Sequence, residues 1–384
     1  MAAFGAPSAF GAPAAFGAPQ QVGAFGAVGG MGGQLARYKC DDKDVDIVQP
    51  PADSVSSLAW SPVANHLIAS SWDNSLSCWE VIPQGLQSQP KARIQADAPP
   101  LCTAFAPDGS SVYFGGCDNK AFVWNLATQQ KTQVGQHTAP IRHCAFIPEI
   151  NMLVTGGWDA KLNYWDTRQP NPAMTVSLPE RCYALAVGHP VLVAACAEKH
   201  ILVYNLTNPQ TPYKHLGPAG QEAQSPLKHQ IRCAAVFPDR TGFLVGSIEG
   251  RVAVQHVEAH NSSKNFTFKC HRHGSDIYAV NSLSFHPTHG TFLTAGADGT
   301  YNFWDKDSKQ RLRAMNPAAG QNQAGVLPVT ECRFNYDGTV VAYSTCYDWS
   351  RGHAEHNPQT AKTHILLHES LDTEVKGRGR QNRR

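Results

Sequence analysis

The chain has 384 residues, with 32 Lys and Arg against 30 Asp and Glu and a net charge of +2. Apolar residues make up 42% and charged residues 16%, with 32 Gly and 26 Pro, which excludes a wholly disordered chain and disfavours a coiled coil or helical bundle. The near-neutral total argues at first against a nucleic-acid partner, a reading that the distribution of charge along the chain reverses.

In chain order, the first segment is an Ala/Phe/Gly-rich leader over residues 1–36. AFGAP starts at Ala3, Ala9 and Ala15, then AFGA at Ala24. Lone Phe residues (Phe4, Phe10, Phe16, Phe25) among Gly, Ala and Pro cannot offset the entropy of ordering, so the leader is expected to be disordered. Its composition fits a phenylalanine-glycine contact tract and an inert leader equally. The 11 Cys show no C-x-x-C spacing and predict free thiols in a reducing compartment. No apolar run is long enough to span a membrane as a helix, and no secretory signal is expected.

Residues 37–371 read as a repeat. SSWDNSLSCWEV is followed by GGCDNKAFVWNL, GGWDAKLNYWDT, AACAEKHILVYNL, GSIEGRVAVQHV and AGADGTYNFWDK. The closing anchors are Trp79, Trp124, Trp165, Tyr204, His256 and Trp304, and Asp73, Asp118, Asp159 and Asp298 precede four of them at one fixed spacing. Strands ending in Pro or Asp-Gly turns lie upstream: LAWSP, TAFAPDG, CAFIP, AAVFPD, LSFHP and CRFNYDG. A period of about 40–45 residues with a Trp-Asp-like ending is the signature of the WD-repeat propeller. With VTECRFNYDGTVVAYSTCYDW as a seventh unit, the predicted fold is all-β: a seven-bladed propeller between the leader and a basic tail over 372–384.

His137, Thr155, Asp159 and Trp165 are expected to form one structural hydrogen-bond network rather than a catalytic triad, since no nucleophile elbow surrounds them. The last unit resumes at THILLHES as its strand c, and Asp44–Pro50 is expected to supply the missing strand d, closing the ring. No phosphate-binding glycine motif appears, and neither Cys270-His271-His273 nor His353-His356 has a completing pair at zinc spacing. A non-enzymatic protein with no metal or cofactor is expected.

Charge is segregated. Residues 225–275 hold Lys228, Arg232, Arg240, Arg251, Lys264, Lys269 and Arg272 against Asp239, Glu249 and Glu258, and KGRGRQNRR ends the chain. In a propeller the d–a and b–c loops share one face. Arg232 at the start of strand a, Arg251 at the start of strand c and Lys269–Arg272 at the end of strand d therefore converge on one rim of blade 5. Clustered Arg side chains there suit a Glu-rich peptide, because guanidinium binds carboxylate bidentately. The predicted peptide contacts are Arg232, Glu249, Arg251, Lys269, His271 and Arg272. Phe268, Trp304, Asp305, Lys306, Lys309 and Arg311 are the predicted contacts to single-stranded RNA, a basic and partly aromatic groove.

Several strings (SWDNSLSCWEV, LPERCYALAV, SPLKHQIRCA, NFTFKCHRHG, DIYAVNSLSFHPTHGTFLTAGADGTYNFWDK and YDWSRGH) resemble the messenger-RNA export factor family of nuclear-pore propellers. SIEGRVAV and FKCHR are shared with the sister spindle-checkpoint family. The resemblance implies capture of a GLEBS peptide carried by a phenylalanine-glycine nucleoporin, with Arg232 and Arg251 meeting its glutamates. It implies an RNA or messenger-ribonucleoprotein contact at Phe268–Arg272 and Trp304–Lys306. It also implies a monomeric propeller in a heterodimer, at the nuclear pore and envelope and shuttling to the cytoplasm. Mitotic spindle or checkpoint partners follow from the sister family, and the WDTR string at Trp165–Arg168 resembles the box of ubiquitin-ligase substrate receptors.

Overall fold

A computed structural model describes residues 38–218, 223–315, 326–357, 359 and 361–377. The leader and the tail arginines Arg378, Arg380, Arg383 and Arg384 lie outside the described residues. Among the described residues are seven four-stranded antiparallel sheets, each one blade with strands in the order a to d. The a strands are Val55–Trp60, Pro100–Phe105, Ile141–Ile147, Cys182–Gly188, Ile231–Val236, Val280–Phe285 and Val329–Phe334. Each touches the next and the last touches the first, so together they wall the channel of a closed ring. This is the seven-bladed WD-repeat propeller that the repeat period implies.

There is no single core. Seven apolar clusters fill the gaps between neighbouring blades, each built from the alternating inward positions of two facing sheets. The ring closes as the sequence suggests: Val45–Asp46 is the d strand of blade 7, with Val45 opposite Leu367 and Asp46 opposite Leu366. One boundary moves. Asp372–Val375, assigned above to the basic tail, is a helical turn whose Val375 is buried in the cluster between blades 6 and 7. The Thr291 hydroxyl donates to its carbonyl at 2.6 Å.

The Asp and Trp of the repeat do structural work. In blade 3 the Trp165 indole donates to Thr155 Oγ1 at 2.8 Å, and the Thr155 hydroxyl lies 2.7 Å from His137 Nε2. His137 Nδ1 lies 2.9 Å from Asp159. Burial pulls the His137 pKa down against the pull of Asp159, so the ring is neutral, donating through Nδ1 and accepting at Nε2. Blade 6 repeats the set with His271, Thr294, Asp298 and Trp304. Blades 1 and 2 carry Ala69 and Phe114 where Thr155 stands; Trp79 donates instead to the Val48 carbonyl, and the Trp124 indole nitrogen has no partner. Replacing Thr155 by Val keeps the shape but leaves the buried Trp165 indole N–H unmatched and His137 Nε2 with only the Asn163 amide at 3.2 Å. We expect a loss of about 2 kcal/mol in urea unfolding.

The seven a strands share another feature. Each shifts register by one residue against strand b at its loop-side end. The residues stepped over are Ser56, Leu101, Arg142, Tyr183, Arg232, Asn281 and Thr330. A bulge re-aims a side chain, and here it turns one residue per blade toward the channel mouth. All but Tyr183 line one cavity there, and Tyr183 lines the adjoining one with Arg142 and Arg232.

Candidate functional site

The predicted peptide contacts lie on one face of blade 5, at two radii. Arg232 is the bulged residue of strand a; it stands at the channel mouth and makes no hydrogen bond or ion pair among the described residues. Farther out, Arg251 opens strand c directly opposite Lys269, the last residue of strand d. Lys269 is exposed and likewise unpaired. Two like charges held opposite each other repel, and an incoming carboxylate relieves that repulsion. Glu249, in the b–c turn, approaches Arg251 Nε at 3.5 Å and His229 at 3.5 Å. The closest approach is at Nε, and the Nη pair of Arg251 makes no hydrogen bond among the described residues, so it keeps its capacity for a second carboxylate.

Two predicted contacts have other tasks. Arg272 donates to the Glu249 carbonyl at 2.7 Å, bracing the turn that presents Glu249 and Arg251. It opens a short hairpin in which it pairs with Ile277. His271 is corrected from a peptide contact to an internal support: its side chain is fully buried, with both ring nitrogens engaged in the blade 6 network. The same network leaves the grouping Cys270, His271 and His273 without metal-binding geometry. At WDTR, Arg168 forks onto Asp166 at 2.8 and 2.6 Å, so its guanidinium is already occupied within the turn.

The predicted RNA residues gather at the outer edge between blades 5 and 6. Phe266 and Phe268 alternate on strand d of blade 5 and face blade 6. The Phe268 ring lies 4.6 Å from Trp304, and the Arg311 guanidinium sits 6.0 Å from that indole. The Trp304 indole nitrogen is held by Thr294, so the ring has a structural place and only a partial exposure. Asp305 is buried and accepts the Asp307 amide at 2.9 Å; it shapes the c–d turn. Lys306 lies over Phe237 at 5.1 Å and Lys309 over Phe266 at 4.7 Å. These lysines, with Lys264, His256 and Phe266, line a cleft of about 690 Å³.

Lys264, His256 and Phe266 were not predicted as contacts. The alternation in NFTFK was the available signal, since it places Phe266 and Phe268 on one face.

Against known proteins, the WD domain, G-beta repeat family matches residues 45–80, 128–166 and 262–305. Protein RAE1 of Arabidopsis thaliana is 52% identical, over 88% of this chain and 94% of its own length. The chain belongs to the Rae1/mRNA export factor family of WD-repeat propellers. The poly(A)+ RNA export protein of Schizosaccharomyces pombe is 42% identical over 89% of this chain and 94% of its own length. The mRNA export factor of Xenopus tropicalis is 42% identical over 88% and 92%. The span aligned with these relatives therefore covers nearly the whole propeller, including blades 5 and 6.

Proposed function

We propose that this Rae1-family propeller is a non-enzymatic scaffold of messenger-RNA export. It docks at the nuclear pore by binding a glutamate-rich GLEBS peptide of a phenylalanine-glycine nucleoporin, and it touches RNA without sequence preference. Two of the three relatives carry RNA export in their names. The observation that supports the docking site is the cross-strand pair of Arg251, held only at 3.5 Å by Glu249, and unpaired Lys269, beside a turn braced by Arg272. A rigid pair of cations with a free guanidinium fork selects carboxylates with little ordering cost.

The RNA contact is assigned to the cleft between blades 5 and 6. Exposed Lys264 and Lys309 meet phosphates, while Phe266 offers a ring face to a base. The wide acidic remainder of the chain keeps this attraction local.

A synthetic GLEBS-type peptide and a copy with every Glu changed to Gln test the docking reading. The first should bind and the second should lose most of its affinity; equal binding refutes the carboxylate contact. For RNA, the double substitution Lys264→Ala with Lys309→Ala should flatten the dependence of log affinity on log salt by about 1.4 for a single strand. An unchanged slope would remove these two lysines from the interface.

A further inference from the structure

The string KGRGRQNRR takes no part in the strands of the propeller, and its arginines, Arg378, Arg380, Arg383 and Arg384, follow Gly377. The structure fixes where this string starts. Val375 is buried in the cluster between blades 6 and 7, and its carbonyl accepts from the Thr291 hydroxyl at 2.6 Å. Glu374, one residue earlier, reaches His368 at 3.0 Å and Arg313 at 3.4 Å. The Lys376 amide closes the helical turn on the Asp372 carbonyl at 2.9 Å. Gly377 then lies against Asp305: a Cβ at that glycine would meet the Asp305 carboxylate at 3.1 Å.

Asp305 ends strand c of blade 6, and the turn that follows it carries Lys306 and Lys309. The root of the string is therefore beside a turn whose other side lines the cleft between blades 5 and 6. Phe303 packs toward blade 7 and Trp304 toward blade 5, so one sheet separates the root from the cleft. Facing sheets lie about 10 Å apart. Residues 378–384, fully extended, span about 23 Å, enough to cross the outer edge of the blade.

The charge at this edge is one-sided. Lys309, Arg311, Arg313 and Lys376 are exposed. Lys309 and Arg311 contact the rings of Phe266 at 4.7 Å and Trp304 at 6.0 Å, and neither has a carboxylate partner among the described residues. The carboxylates nearby are occupied. Asp307 pairs with Lys306 at 2.9 Å, Glu374 with Arg313 and His368, and Asp372 with His289 at 3.5 Å; Asp305 is buried. The fold delivers the arginines of the string to a field of cations and offers them no free anion. Such a concentration of like charge is compensated from outside, by a polyanion. The composition names it. Gly-Arg-Gly-Arg sets a residue without a side chain beside each guanidinium, and segments of Arg and Gly hold single-stranded RNA through its phosphates and base faces.

We propose that residues 376–384 are a second part of the RNA surface, an arginine arm that crosses the outer edge of blade 6 and binds the backbone of the strand seated between blades 5 and 6. The inference rests on the RNA reading of that cleft and adds to it. Lys264, Lys309 and Phe266 hold the strand on rigid blades; the arm lengthens the contact and supplies most of its salt-dependent attraction.

The test uses the full chain and an oligouridylate of about 15 nucleotides, with affinity measured across a range of salt. A variant with Arg378→Gln, Arg380→Gln, Arg383→Gln and Arg384→Gln should make the slope of log affinity against log salt shallower by about 2.8, at about 0.7 per arginine. The same positions changed to Lys should restore the slope. Val375 and Glu374 stay in place, so melting should match the intact chain. Adding Lys264→Ala and Lys309→Ala to the Gln variant should sum the two losses, with one strand bound per chain. An unchanged slope in the Gln variant, when Lys264→Ala with Lys309→Ala does flatten it, refutes the arm and leaves the cleft standing. Failure of the intact chain to bind the oligouridylate refutes both. A Gln variant that loses affinity for the GLEBS-type peptide and keeps its RNA slope makes an acidic peptide the partner of the arm and overturns the proposal.

Discussion

Deleting residues 44–49 should abolish the cooperative melting of the intact ring or lower its midpoint by on the order of 10 °C or more. The segment is short, but it holds both ends of the chain. Ile47 is buried between blades 7 and 1 and its amide donates to the Ile365 carbonyl at 2.9 Å. Removing a buried aliphatic side chain of this size costs about 2–5 kcal/mol. Asp44 is buried as well. It accepts from the Tyr343 hydroxyl and pairs with His368 at 2.6 Å; His368 reaches Glu374 at 3.0 Å, and Glu374 pairs with Arg313 of blade 6 at 3.4 Å. Without Asp44 a buried cation loses half its compensation, a further cost of about 3–5 kcal/mol. Together these approach the whole stability of a typical domain.

The same chain of charges sets a pH dependence. Burial lowers the pKa of His368, but the two carboxylates outweigh it and raise the value from the ordinary 6.5 to about 9. The folded state therefore holds this proton more tightly than the unfolded one. Its contribution is complete below the unfolded value and fades as pH rises through about 9. Melting followed from pH 6 to pH 10 should show this decline in the intact chain and not in His368→Gln. Equal profiles would refute the role of His368.

Arg251→Glu should weaken binding of the GLEBS-type peptide by roughly 3 kcal/mol, about a hundredfold in Kd. The substitution removes the free guanidinium fork and sets a carboxylate beside Glu249 and opposite Lys269. The charge at the turn, counting Arg251, Lys269 and Arg272 against Glu249, then falls from +2 to zero, and the new carboxylate repels the ligand as well as losing a contact. Arg251→Lys retains the charge without the bidentate geometry and should fall between the two. Arg251 is only half-buried and its strand pairing is through the backbone, so melting should stay nearly unchanged. An unchanged Kd with intact melting would remove Arg251 from the interface.

The propeller, its seven units, the Val45–Asp46 closure and the blade 3 network were legible from residue order alone. All of them rest on local chemistry that recurs: strand alternation, a turn Asp and an indole at fixed spacing. The second network was missed for a physical reason. His137 precedes its strand a closely, whereas the hairpin through Arg272 and Ile277 intervenes between His271 and Val280. That insertion hides the matching spacing, so His271 read as a surface contact when it is a buried support. Asp305 and Trp304 carry the right residue types for a ligand, yet burial and hydrogen bonding commit much of each to the blade.

The sequence also placed Arg251, Lys269 and Arg232 on one face, because loop order in a propeller is fixed by strand order. It did not separate their radii. That depends on the bulge at Arg232, which exists only in the register between strands a and b. Trp72 and Trp158 were read as letters of the repeat turn, beside Asp73 and Asp159. Only closing the ring carries them, with Trp349 of the last blade, to one cavity, since residues hundreds of positions apart become neighbours when blade 7 meets blade 1.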